Sequence, residues 1–318
     1  MTATRLFHLA SLLAAAIDAN GQDAHFAQVQ NMHIWYNPAL KTNMVPLAHI
    51  NIRSVNYPGM IAYTSKAVTV ELPLIGRDQD ETDVIPFMHL GAGINVDNSP
   101  NQFMNVSTGM LSLSYALPLN GDNTYLSAGF QATYTFSRIG LGGNYHFPEA
   151  FDKFGALGPA IAADPYQSGY NYGYFTAGVG AAVFHNGIAR QWYIGGSIRH
   201  LNKPYTEWNH SVRLAANYGL QAGYTTAFEA EDAIGGYVNL SWLGNTPEQL
   251  FGLHYTRSLD DSAKYCLSPG LAYRSRDALI PNLELKAGEH RLAFYYELNI
   301  SPAAYRRSTF EFSYTLNF

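Results

Sequence analysis

The chain has 318 residues, enough for one large domain or two ordinary ones. Charged residues make up only 14% of it, against about 25% in an average soluble domain. The net charge is -5, and acid and base are mixed without a basic stripe, which argues against nucleic acid as a partner.

The first residues, MTATRLFHLASLLAAAIDANGQD, place Arg5 before an apolar run from Leu6 to Ile17, with the small residues Ala19 and Gly21 near a cleavage point. This is the pattern of a signal peptide over 1–21, too short to span a bilayer. No cysteine follows it, so no lipoprotein anchor is expected there. Residues 22–46 read as an N-terminal periplasmic lead, and the rest, 47–318, as one domain. Beyond the signal peptide there is no run of about 18 apolar residues. The mature chain is either soluble outside the cytoplasm or enters a membrane without helices.

From residue 47 onward the pattern has period two, the strand signature. HINIRSV sets Ile50 and Ile52 against His49, Asn51 and Arg53. MHLGAGINV sets Met88, Leu90, Ala92, Ile94 and Val96 against His89, Gly91, Gly93 and Asn95. YLSAGFQATYTF alternates in the same way from Leu126 to Phe136, and HSVRLAANYGLQAGYT sets Leu214, Leu220 and Tyr224 against Arg213, Asn217 and Gln221. Gly, Pro, Asn and Asp clusters separate the segments. About fourteen strands follow, beginning near residues 47, 60, 86, 102, 123, 173, 191, 209, 232, 249, 266, 279, 289 and 305.

The wet faces of these strands carry Gly, Ser, Thr, Asn and Gln with isolated Arg or His, while the charges gather in turns such as RDQDETD at 77–83. A soluble sandwich would place Lys and Glu on its outer faces. A transmembrane barrel places small polar groups toward its lumen and apolar ones toward lipid. The fold class is therefore all-β, an outer-membrane β-barrel of about fourteen antiparallel strands that closes because lipid tolerates no open edge. Trp192, Trp208 and Trp242 fall at strand ends, where an aromatic belt would lie. The last strand puts Phe310, Phe312, Tyr314, Leu316 and Phe318 on one face. An apolar stripe ending on an aromatic resembles the carboxy-terminal signal read by barrel assembly machinery, with Phe318 as its last element.

No catalytic or cofactor pattern is present: there is no G-x-S-x-G, H-E-x-x-H, C-x-x-C or P-loop, so an enzyme is not expected. Cys266, the single cysteine, reads as a strand residue, and it excludes a disulfide framework. Asp78, Asp80, Glu81 and Asp83 lack the glycine and terminal glutamate of an EF-hand loop and read as a solvated turn. His49, His89 and His200 are expected to face the lumen without converging on a metal. Arg274 and Asp277 are expected to meet across a turn as a local ion pair. The connection from about 138 to 172 carries Phe147, Phe151, Phe154 and Tyr166, too apolar for a solvated loop. They form either an inward plug or a surface that binds a protein partner.

Four phrases resemble the PorP/SprF family of outer-membrane proteins from the type IX secretion system of Bacteroidota. QDAHFAQVQNMHIWYNPAL carries Asn37, Pro38 and Ala39 of the family's opening. GGSIRHLNKP supplies His200, Leu201 and Pro204. YRSRDALIP supplies Tyr273, Arg274, Asp277, Ala278 and Pro281, and YYELNISPAAYRRSTFEFSYTLNF is similar in layout to the family's last two strands. ELNIS stands where the family commonly has an Asp-containing stretch. The resemblance implies an outer-membrane location and a part in protein secretion, surface attachment of adhesins and gliding motility. It also implies partners among the secretion machinery or the C-terminal domains of secreted cargo. The alternative for such a barrel is a porin or small-molecule transporter.

Overall fold

The structure, a computed structural model, describes residues 26–40, 45–56, 63–75, 86–99, 104–120, 123–139, 151–152, 155–156, 170–206, 212–228, 232–260, 262–301 and 307–318. The expected signal peptide, the acidic turn at 77–83 and Trp208 lie outside these residues.

Among the described residues sixteen strands are formed, and fourteen of them close into an antiparallel barrel. In chain order they are β1 (Leu47–Asn56), β2 (Tyr63–Ile75), β3 (Phe87–Asn98), β4 (Met104–Asn120) and β5 (Thr124–Ile139), then a separate two-residue hairpin of β6 (Phe151–Asp152) and β7 (Gly155–Ala156). The barrel resumes with β8 (Tyr170–Asn186), β9 (Arg190–Arg199), β10 (Asn217–Ala227), β11 (Ala233–Leu243), β12 (Thr246–Ser258), β13 (Tyr265–Arg274), β14 (Ala278–Ala287), β15 (His290–Asn299) and β16 (Ser308–Asn317). Each barrel strand pairs with its neighbours in the chain, β5 with β8 across the small hairpin. The last strand pairs with the first in an unbroken register from Leu47↔Asn317 to Asn56↔Ser308. An even strand count brings both ends of the barrel to one rim, called here the terminal rim; the opposite one is the far rim.

The burial pattern is that of a membrane barrel. β1 buries His49, Asn51 and Arg53 and exposes Ile50 and Ile52; β16 buries Thr309, Glu311, Ser313 and Thr315 and turns Phe310 outward. Ile94, Leu111 and Leu253 are 60%, 66% and 69% exposed. Apolar exposure on that scale, repeated around the wall, matches a lipid-facing surface. Trp192 and Trp242 lie near opposite ends of their strands, where interfacial rings belong. Tight hairpins join several strands. Gly244 and Gly288, at φ +59° and +60°, supply the left-handed backbone that two such turns require.

The expected strand near 209 begins only at Asn217. The preceding residues pair with themselves instead: Tyr205 bridges Arg213, and the Leu214 N–H donates to Pro204 O at 2.9 Å. Leu214, on the apolar parity of the sequence pattern, is 1% exposed and finds its burial at the rim rather than in lipid.

The lead segment expected in the periplasm is also placed differently. Residues 26–40 lie inside the barrel, with Phe26, Met32, Ile34, Ala39 and Leu40 at most 1% exposed. Phe26, Val29, Met32, Ile34, Trp35 and Tyr36 join Met110, Tyr237, Leu250, Ile280 and Tyr295 of the wall in one apolar cluster. The reason is geometric. About eight strands enclose a width that inward side chains fill by themselves, whereas wider barrels leave a lumen. Here the chain fills that lumen with its own N-terminal segment.

Phe312 faces outward at the middle of β16, opposite Ile52, with its ring 5.1 Å from that of Phe294. Phe312→Arg should lower barrel stability by about 2–4 kcal/mol, the range for a cation at the bilayer midplane. Urea unfolding in lipid vesicles measures this, and Phe312→Leu should stay near the parent.

Candidate functional site

The luminal segment contains one helical turn, His33–Tyr36. A turn this short leaves its last carbonyls without partners of its own. The wall supplies them. Gln131 Nε2 donates to Ile34 O at 2.8 Å, Arg199 Nη1 to Trp35 O at 3.2 Å, and Ser197 Oγ to Tyr36 O at 2.7 Å. The Trp35 indole N–H donates to Thr69 Oγ1 at 2.8 Å. Each of these side chains sits on the inward parity of β2, β5 or β9.

Asn37 follows the turn and is fully buried. Its Nδ2 donates to Gln221 Oε1 at 3.1 Å and Gly196 O at 3.2 Å, and its Oδ1 accepts the Ala39 N–H at 2.9 Å. Pro38 and Ala39 then press against bare backbone. A Cβ at Gly180 would lie 2.0 Å from Asn37 Oδ1, one at Gly195 2.8 Å from Asn37 Nδ2, and one at Gly129 2.6 Å from the Pro38 carbonyl. On β3, a Cβ at Gly91 or Gly93 would meet Ile34 at 2.7 Å or the Trp35 ring at 2.6 Å. Five inward glycines thus form a cradle shaped to the segment, since only glycine admits so close an approach.

The start of the segment is held by charge. The amides of Ala27 and Gln28 donate to the two carboxylate oxygens of Glu311, at 2.8 and 3.1 Å, and Asn51 Nδ2 donates to the same carboxylate at 2.8 Å. Glu311 belongs to a larger buried cluster. Arg53 Nη2 lies 3.1 Å from Glu297 and its Nε 3.9 Å from Glu311. Arg274 pairs with Glu297 at 3.1 Å, Asp277 at 3.2 Å and Glu248 at 3.6 Å. Arg307 pairs with Glu297 at 3.1 Å and also contacts Asp277. Three guanidinium groups therefore interleave with four carboxylates near the far rim. Removing one partner from the buried core of this cluster, Arg53, Arg274, Glu297 and Glu311, leaves an uncompensated charge.

These positions revise the sequence reading residue by residue. Asn37 and Pro38 are the docking point of the luminal segment. Arg274 and Asp277 do meet across the β13–β14 turn, but the pair is part of the buried cluster rather than a local surface bridge. His200 and Pro204 lie in the turn that follows β9, His200 in the left-handed region at φ +56°. His49 and His89 are buried in the lumen, His49 beside Thr315 at 2.7 Å and His89 beside Glu71 at 3.3 Å. Phe318 stands at the terminal rim, 60% exposed, its N–H bonded to Pro46 O at 3.0 Å. Phe147, Phe154 and Tyr166 lie outside the described residues; Phe151 is in β6, and its side chain is not described. Sequence reasoning missed Glu297, Glu311 and Arg307 as a cluster and the five glycines as a cradle. The available signal was that the lead carries Phe26, Met32, Ile34, Trp35 and Leu40, too much apolar surface for a solvated tail.

Below the segment, a cavity of about 700 Å³ faces the terminal rim, lined in part by His33, Glu71, Glu284, Lys286 and Arg291. Among the described residues no group of three or more His, Cys, Asp or Glu side chains could hold a metal ion.

A family model described as the type IX secretion system membrane protein PorP/SprF matches residues 18–316. The chain belongs to the PorP/SprF family. The phrases that resembled the family map onto the luminal segment, the turn after β9 and the charge cluster of this PorP/SprF protein. No curated protein sequence matches the chain significantly. Among solved structures, the barrel is similar to the toluene transporter TodX of Pseudomonas putida, with a TM-score of 0.55, 10% identity, and 94% of this chain and 96% of that one covered. It is also similar to the toluene transporter TbuX of Ralstonia pickettii, at 0.52 and 9% over 94% and 96%. The CymD monoaromatic hydrocarbon channel gives 0.54 and 12% over 93% and 94%. At these identities the likeness is one of fold.

Two outcomes follow for the PorP/SprF site. Asn37→Ala removes about 1–3 kcal/mol of buried hydrogen bonding. A cysteine placed at the buried position Gln28 should then react about fivefold or more faster with a membrane-impermeant maleimide. Glu297→Gln should destabilise the barrel by about 3–5 kcal/mol, measured by urea unfolding, because it strips a shared carboxylate from the buried Arg53 and Arg274 and the half-buried Arg307.

Proposed function

We propose that this protein is an outer-membrane component of the type IX secretion system that supports secretion or surface attachment of exported proteins. Its terminal rim then faces the periplasm and its far rim the outside. It acts by binding: the far rim engages the C-terminal domain of a cargo protein or the secretion machinery, and no catalytic step is assigned to it. The observation that carries this reading is the filled lumen. A diffusion porin needs a continuous water path, and here residues 26–40 occupy the lumen with wall side chains bonded to their carbonyls. Family membership supports the same reading. The connection at 138–172, with Phe147, Phe151, Phe154 and Tyr166, remains part of the proposed binding surface.

The test is a deletion strain compared with its parent by surface proteomics. The expected outcome is the loss of one or more large exported proteins from the cell surface, restored by the wild-type chain, with reduced colony spreading where the host glides. Replacing Phe147, Phe151 and Phe154 by Ser should lower the same surface proteins while heat-modifiable barrel in the membrane stays at parent level. An unchanged surface proteome with slower uptake of small solutes would instead favour the transporter reading.

A further inference from the structure

A closed barrel has no strand edges, but here the strands differ in length. β8 has 17 residues and β9 has 10. Their ladder stops at Val179↔Ile198. β8 continues toward the far rim for nine more residues, roughly 30 Å at about 3.3 Å per residue. On its other side it stays paired with β5 as far as Ile139↔Tyr170.

The lower part of the side left open by β9 is already met by strand-like contacts. The Leu201 N–H donates to Ala177 O at 2.9 Å. Asn202 Nδ2 donates to Phe175 O at 2.7 Å, and its Oδ1 accepts the Ala177 N–H at 3.1 Å. The amide of Asn202 thus stands in for one residue of a paired strand. These bonds fix the direction of the odd-numbered groups of β8, which point away from β5. The β5–β8 register runs on without a shift through Phe136↔Gly173 and Arg138↔Asn171. By the alternation of an antiparallel ladder, the N–H and C=O of Asn171 and Gly173, with the N–H of Phe175, point along the open side. Among the described residues nothing bonds to these five groups.

Their height matters. Tyr134, Phe136 and Phe175 are 55%, 42% and 50% exposed on the outer wall, where interfacial aromatics sit. The exposed Arg138 and Asn171 stand beyond them. Gly173 and Phe175 pair with Phe136 and Tyr134 and so lie level with these rings, and Asn171 lies beyond them. Unpaired backbone is not tolerated in hydrocarbon, but in this interfacial layer it is hydrated and open to exchange for a partner.

We propose that the open edge of β8 at Asn171, Gly173 and Phe175 is a strand-addition site for an extended segment of an exported protein. The proposal rests on the cargo-binding function above and names where and how the cargo docks. Donors and acceptors that recur every second residue in one plane are matched by another extended backbone. A second copy of this chain does not fit. Two upright barrels related by a twofold axis along the membrane normal bring their β8 edges together pointing the same way, each tilted by about 35–45° in opposite senses. Such strands cross rather than pair. An added strand would have Tyr172 and Tyr174 beside one of its faces, their rings 6.4 Å apart, and Asn171 and Phe175 beside the other. It would therefore alternate, with aromatic or β-branched residues toward the tyrosines.

Asn171→Pro tests this. It removes one N–H from the open side and leaves the ladder to β5 intact, since the Asn171 backbone faces away from β5; proline is tolerated on edges. Asn171→Ala keeps the N–H. The probe is the isolated C-terminal domain of the exported protein whose surface level falls in the deletion strain. Its affinity for the purified barrel should fall at least tenfold with Asn171→Pro and stay within twofold with Asn171→Ala. A photo-crosslinking residue at 171 in the otherwise unchanged chain should join the barrel to that domain, a readout that holds even if the proline variant assembles poorly. Unchanged affinity in a correctly assembled Asn171→Pro barrel, or crosslinks only within the chain or to a second copy, overturns the proposal. If the deletion lowers an exported protein and the edge variants do nothing, the edge alone is wrong. If the deletion lowers none, the cargo-binding function falls with it.

Discussion

A polypeptide backbone in hydrocarbon has no water to bond, and every N–H and C=O must find a partner in the chain. That requirement organises this molecule. It forces β1 against β16, turns the sheet into a barrel, and sends apolar side chains outward. With fourteen strands the same closure makes a lumen wider than inward side chains can fill. The interior then becomes a second packing problem, and the chain meets it with a segment of its own. The glycines on β3, β5, β8 and β9 and the donors Gln131, Ser197 and Arg199 follow from that need. They are placed where the segment's backbone comes closest to the wall.

The barrel itself was legible in the sequence because lipid enforces a period of two with few exceptions. The inward and outward residues of β1, β3 and β5 fall where the alternation put them. Strand number was legible for the same reason. The delayed start of β10 was not, since the alternation runs on through Leu214 and Ala216 although those residues fold back at the rim. Alternation reports which side of a residue is apolar, and a buried loop can satisfy that as well as lipid can.

The site was less legible, for a different physical reason. A luminal contact joins residues that are far apart in sequence, and period two marks only that they face inward. Glu311 reads as one more wet-face residue until the fold brings it to the amides of Ala27 and Gln28. Gly180 reads as a small lumen residue until Asn37 lies against it. Arg274 and Asp277 were visible as a pair because three residues separate them. Their partners Glu297, Arg307 and Arg53 lie on other strands. The family phrases marked several of these positions without saying what they touch.

The segment inside the barrel is held at two places that become available at different times. The cradle for Asn37 is built from β3, β5, β8 and β9, strands from the first two thirds of the chain. The carboxylate that receives the amides of Ala27 and Gln28 lies on β16. A nascent barrel whose last strand has not yet joined β1 has the first anchor without the second. Its N-terminal segment can therefore swing about Asn37 until the seam closes. Closing the seam and fixing the interior are thus coupled, because β16 supplies both the final strand pairing and the second anchor.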